Sequence, residues 1–143
     1  MVKTDFFGPH LTLDLNDCNP EKLRDFDLVF DILNNLPDKI GMTKITQPYV
    51  FKYQGLVPED VGITGFVVIA ESHISIHTFQ EKNYVFIDLF SCKPFDYTFA
   101  EKYLIEIFES KTPTIQMLTR GHDFPRSAAL SGPPHLPALA GVA

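Results

Sequence analysis

From His10 to Leu15 the chain alternates, with Leu11, Leu13 and Leu15 set against Thr12 and Asp14, which is the period of a half-buried strand. Asn19-Pro20 then supplies an N-cap and a first-turn proline. Leu23, Phe26, Phe30 and Leu33 recur at spacings of three and four, so a helix is predicted there, ending at Pro37. Thr43 to Tyr53 leans to β, and Gln54 to Asp60 reads as a loop. Gly62-Ile63-Thr64-Gly65 leads into Phe66-Val67-Val68-Ile69-Ala70, a short apolar run that predicts a buried strand. His73 to Phe79 alternates strictly: Ile74, Ile76 and Thr78 face one way, His73, Ser75, His77 and Phe79 the other. After a turn at Gln80-Glu81-Lys82-Asn83, Tyr84 to Cys92 returns as a strand with Val85, Ile87 and Leu89 on one face. Pro94-Phe95-Asp96 opens a second helix whose stripe is Phe99, Tyr103, Leu104, Ile107 and Phe108; it stops before Pro113, and Thr114 to Thr119 reads as a closing strand.

The hairpin carries a geometric consequence. If its turn centres near residues 81 and 82, paired residues have numbers summing to about 163, which sets Cys92 beside Glu71 and Ser72. The pattern as a whole predicts an α+β two-layer sandwich, one antiparallel sheet with two helices on one face, leaving the polar face for a second copy.

Composition narrows the picture. At 143 residues, 45% apolar and 13% aromatic, the chain suits one core, predicted as a single domain over residues 1–124. The remainder, Pro125 to Ala143, is rich in proline, alanine and glycine and is expected to be disordered. Twelve basic residues against 18 acidic ones give a net charge of -6, which argues against nucleic acid or an anionic membrane surface as partner. The opening Met1-Val2-Lys3-Thr4-Asp5 leads into no apolar run, and no stretch approaches the ~18 apolar residues of a span, so a cytoplasmic location is expected. A reducing compartment would leave Cys18 and Cys92 as free thiols.

His73 and His77 suggest a metal pair at first, but four residues along a strand span about 13 Å, so no metal site is expected. No Gly-x-Ser-x-Gly elbow is present for a serine hydrolase. On composition alone the polar face is a sheet surface packing on a partner sheet. Its residue types argue for more, since serine, histidine and a nearby cysteine are the set needed for nucleophile, proton shuttle and acid.

Gly62-Ile-Thr-Gly65, Ala70-Glu-Ser-His-Ile-Ser-Ile-His-Thr-Phe79 and Phe90-Ser-Cys92, within a likeness running from about Gly8-Pro9-His10-Leu11 to Arg120-Gly121, resemble the pyruvoyl-dependent S-adenosylmethionine decarboxylases of the small prokaryotic type. The resemblance implies that Ser72 attacks the Glu71 carbonyl, the amide migrates to an ester, and elimination leaves residue 72 as a covalent pyruvoyl cofactor. The products would be chains 1–71 and 72–143. It implies a Schiff base between that ketone and the substrate amine, His77 assisting self-processing, and Cys92 as the acid that protonates the substrate carbon. Thr64 stands where the family usually has serine and would assist processing through its hydroxyl. Glu81 matches the carboxylate expected on the ribose hydroxyls, and Phe51, Tyr53 and Phe79 are the candidates to stack on adenine. An obligate homodimer, a four-layer αββα assembly with active sites near the interface, is implied too. Two departures bear on substrate: Thr78-Phe79-Gln80-Glu81 replaces a frequent Thr-Trp-Pro-Glu, and Phe51 to Val61 is longer than the usual compact loop. The expected reaction is decarboxylation of S-adenosylmethionine for spermidine synthesis. The alternatives are the same chemistry on arginine or ornithine, and an uncleaved, non-catalytic binding module.

Overall fold

The computed structural model describes residues 6–125. The expected tail therefore lies, beyond Pro125, outside the described residues. Six strands form one antiparallel sheet: β1 (Gly8–Asn16), β2 (Tyr49–Tyr53), β3 (Gly62–Ile69), β4 (Ser72–Phe79), β5 (Tyr84–Phe90) and β6 (Thr112–Arg120), in the order β2-β3-β4-β5-β1-β6. β6, which carries Pro113, is an edge strand, where a missing N–H costs no ladder bond.

The period-two pattern decides which face is dry. Leu11, Leu13, Leu15, Ile63, Val67, Ile69, Ile74, Ile76, Val85, Ile87 and Leu89 share one face and are buried against helical side chains. Those helices are α1 (Pro20–Leu23), α2 (Phe26–Lys39) and α3 (Tyr97–Phe108). The opposite face, with Thr12, Thr64, Phe66, Ser75, His77, Phe86 and Asp88, carries no helix among the described residues, and Phe66 and Phe86 are 39% and 40% exposed. The α+β class and the single antiparallel sheet are as the sequence pattern predicts.

One predicted helix is in fact two. The Asp25 side chain accepts the Leu28 N–H and caps a fresh N-terminus, so the chain breaks after Leu23 and restarts at Phe26. Nor does Pro37 end α2. It sits in the last turn, buried with Val29, Ile32, Leu33 and Leu36, and the helix runs on to Lys39. The inward stripe accordingly falls on these residues rather than on Phe30. The helix α3 begins where predicted, its Asp96 cap accepting the Phe99 N–H.

A single buried hydroxyl ties α1 to the sheet. Thr78 Oγ1 donates to the Leu23 carbonyl at 2.7 Å and accepts the Ile63 N–H at 2.9 Å. Thr78→Val keeps the shape but strands both backbone groups, so urea unfolding should show a loss of about 1–3 kcal/mol. A change below about 0.5 kcal/mol would mean that water reaches those groups.

Candidate active site

The β4–β5 ladder pairs His73 with Phe90, Ile74 with Leu89 and Ile76 with Ile87, a constant sum of 163. Extended one step beyond β4, this register sets Cys92 against the bend between β3 and β4. Cys92 Sγ accepts the Glu71 N–H at 3.3 Å and lies 3.5 Å from the Ala70 carbonyl oxygen, to which the thiol donates. The Ser72 hydroxyl donates to the Glu71 carbonyl oxygen, and the Ala70–Glu71 peptide bond is cis. Nucleophile, carbonyl and thiol thus converge on one partly exposed turn.

Thr64 and His77 form a second group. They are paired across β3 and β4, with Thr64 Oγ1 3.3 Å from His77 Nδ1. They line a cleft of about 200 Å³ together with Tyr53, Asp60, Gly62, Thr78 and Phe79. Phe51 pairs with Thr64 on the neighbouring strand but does not line the cleft, and neither does Glu81, which lies exposed in the 3-10 turn Gln80–Lys82. Asp60 does, held by Lys82 Nζ at 2.8 Å. Sequence reasoning passed over Asp60 as loop. The available signal was Pro58-Glu59-Asp60 directly preceding the Gly62 strand.

The two groups lie at opposite ends of β4. His77 is five steps along the strand from Ser72, roughly 16 Å at ~3.3 Å per residue. Residues five apart take opposite faces of a regular strand, and only a bulge or kink near Ser72 would turn the two side chains to one side. The ladder is instead unbroken from Thr64↔His77 to Ile69↔Ser72, so they keep opposite faces. His77 is on the uncovered face, whereas Ser72 has the phase of Ile74 and Ile76 and escapes the core by standing at the strand's end.

Beside the Cys92 end, the uncovered face carries a polar group that the sequence reading did not single out. His10 Nε2 is 2.9 Å from Asp88 Oδ1, and Arg120 Nη1 is 3.5 Å from His10 Nδ1. Since guanidinium only donates, Nδ1 accepts and Nε2–H donates to the carboxylate. Arg120 also lies over the Phe90 ring at 4.2 Å, with the His73 ring against the same phenyl. Partial burial, reinforced by the neighbouring His10 and the Arg120 guanidinium, pushes the His73 pKa below its ordinary value.

A family model described as S-adenosylmethionine decarboxylase matches residues 9–121. The S-adenosylmethionine decarboxylase proenzyme of Thermodesulfovibrio yellowstonii is 40% identical over 118 residues, covering 80% of this chain and 81% of that protein. The protein of the same name from Geobacillus kaustophilus is 33% identical over 117 residues, covering 82% and 90%. The crystal structure of the adenosylmethionine decarboxylase from Aquifex aeolicus VF5 superposes with a TM-score of 0.69 at 28% identity, covering 81% of this chain and 92% of that one.

The His73 shift is measurable. In an NMR titration its imidazole should protonate below the ~6.5 of a free side chain, and Arg120→Gln should move it upward by removing a neighbouring positive charge. The unfolded chain takes up that proton at ~6.5 while the native chain does not, so this residue's contribution to stability falls as pH drops below ~6.5. A His73 midpoint at or above ~6.5 would contradict the assigned environment.

Proposed function

Because the chain belongs to the S-adenosylmethionine decarboxylase family, we propose that it cuts itself between Glu71 and Ser72 and then decarboxylates S-adenosylmethionine, the step that supplies the aminopropyl donor for spermidine. The observation that carries this reading is the convergence of the Ser72 hydroxyl and Cys92 Sγ on the Ala70–Ser72 bend. The relatives matched over most of the chain are named for S-adenosylmethionine, which leaves arginine, ornithine or an uncleaved binding module without support.

The residues present fit a pyruvoyl group at position 72, since a serine hydroxyl already rests on the carbonyl it must attack. Once formed, that group supplies a ketone whose neighbouring carbonyl accepts the electrons released with carbon dioxide. Ser72 Oγ attacks the Glu71 carbonyl carbon, the C–N bond breaks as the amide becomes an ester and the hydroxyl proton passes to the freed nitrogen; elimination then releases the Glu71 carboxylate, and water replaces the nitrogen, which leaves as ammonia. Cys92 holds a proton at Sγ, one residue from the cleavage site, for delivery to the substrate carbon. Tyr53 and Phe79 offer aromatic faces in the cleft, with Phe51 on the adjoining strand, and Glu81, exposed in the turn after β4 and outside the cleft lining, is the carboxylate the family likeness assigns to the ribose hydroxyls.

His77 and Thr64 are roughly 16 Å from Ser72 in their own protomer, beyond any direct proton transfer. A homodimer removes the difficulty. Two sheets stacked through their uncovered faces, about a two-fold axis crossing the strands near Ser75, lay the partner's His77 and the partner's Thr64 over the Ser72 end. The same stacking covers Phe66 and Phe86, two of the large apolar side chains left exposed on that face. Each site then takes Ser72 and Cys92 from one copy, and the processing pair with its aromatic cleft from the other.

Two outcomes test this reading. Ser72→Ala and His77→Ala chains should each stay whole when expressed alone, whereas co-expression should yield cleaved His77→Ala chains, because the Ser72→Ala copy donates its histidine. No cleavage in the mixture would contradict the shared site. Cys92→Ala should still cleave but release carbon dioxide from S-adenosylmethionine at least about 100-fold more slowly, the scale of a lost general acid. A rate within about tenfold of the parent would remove Cys92 from that role.

A further inference from the structure

The turn that carries Cys92 is held from behind by a residue with no assigned part in the reaction. Ser91 is fully buried, one of two buried polar side chains among the described residues. Its hydroxyl donates to the Lys93 carbonyl at 2.6 Å and accepts the Lys93 N–H at 3.1 Å, with Met42 Sδ at 3.6 Å behind it. Both backbone groups of the residue after Cys92 are thereby clamped by the side chain of the residue before it, which fixes the backbone of the cysteine itself. Ser91 N–H donates to the Pro9 carbonyl at 3.0 Å and anchors the turn to β1.

β1 is cut away to receive it. A Cβ on Gly8 would lie 1.8 Å from the Ser91 carbonyl oxygen and 3.0 Å from Cys92 Cα, so only glycine lets the turn seat this closely. Lys93 itself is exposed, and its part-buried bonds to Ser91 close the turn from which the Cys92 side chain points toward the Ala70–Ser72 bend.

We propose that Ser91, seated against Gly8, is a positioning residue for Cys92: its hydroxyl closes the Ser91–Lys93 turn and so aims Sγ at the cleavage bend. This rests on the role given to Cys92 above, and its test has an arm that does not. In the Ser72→Ala chain, which needs neither cleavage nor substrate, iodoacetamide labelling of Cys92 is followed by peptide mass across pH. Cys18 is the slow internal control, because burial pushes its thiol up to about 11.

Adding Ser91→Ala should speed Cys92 labelling about threefold or more as the turn loosens, while Ser91→Thr, which keeps the hydroxyl, should stay within about twofold. In the self-processing chain, Ser91→Ala should cleave normally and lose about tenfold in kcat with KM within about twofold, and Ser91→Thr should recover kcat. If Ser91→Ala does not accumulate, Ser91→Cys, similar in size and weaker in both hydrogen bonds, carries the kcat arm. A kcat for Ser91→Ala within about twofold of the parent, or Ser91→Thr as impaired as Ser91→Ala, overturns the proposal. If the parent chain itself neither cleaves nor decarboxylates, the functional reading fails instead, and the labelling arm alone decides whether Ser91 holds the thiol.

Discussion

The antiparallel register of β4 with its two neighbours is the constraint from which the rest follows. Against β5 it gives sums of 163 and brings Cys92 to the Glu71–Ser72 bond; against β3 it gives sums of 141 and brings Thr64 to His77. A slip of one residue on either side would exchange core and solvent faces and separate both pairs. Buried Ile74 and Ile76, flanked by Val67 and Ile87, make that slip costly, at about 1.5–3 kcal/mol for each large apolar side chain exposed. The same burial that stabilises the sheet therefore fixes the reacting groups.

That register also keeps the two groups apart. No bend within β4 brings His77 back to Ser72, and among the described residues the helices occupy one face of the sheet. The uncovered face carries His77, Thr64, exposed Phe66 and Phe86, and the His10–Asp88–Arg120 group beside Phe90. If the proposed reaction draws on both ends of β4, a second copy across that face would supply the missing end and cover the apolar surface between them. The homodimer of the proposed function rests on this separation.

Much of this was legible in the sequence. Alternation over 10–15, 73–79 and 84–92 placed three strands and their faces, and the four-residue turn after Phe79 sufficed to put Cys92 beside Glu71 and Ser72. The break at Asp25 was missed because a carboxylate three residues before Leu28 reads equally as a helical surface charge or as a cap, and only the hydrogen bond decides. Pro37 misled because a proline close to a helix end can be accommodated when its ring is buried. Asp60, Ser91 and the His10–Asp88 pair were not legible as site residues. The significance of Asp60 and of the His10–Asp88 pair depends on contacts between elements far apart in sequence, and that of Ser91 on a local hydrogen-bonded turn, and no periodicity encodes either.

The intact mass of the purified, unmutated chain is the most direct test. Two polypeptides should meet between Glu71 and Ser72, the second beginning with a residue that has no free amino group. A single unbroken chain, or a second fragment beginning with an ordinary serine amine, would contradict the proposed function.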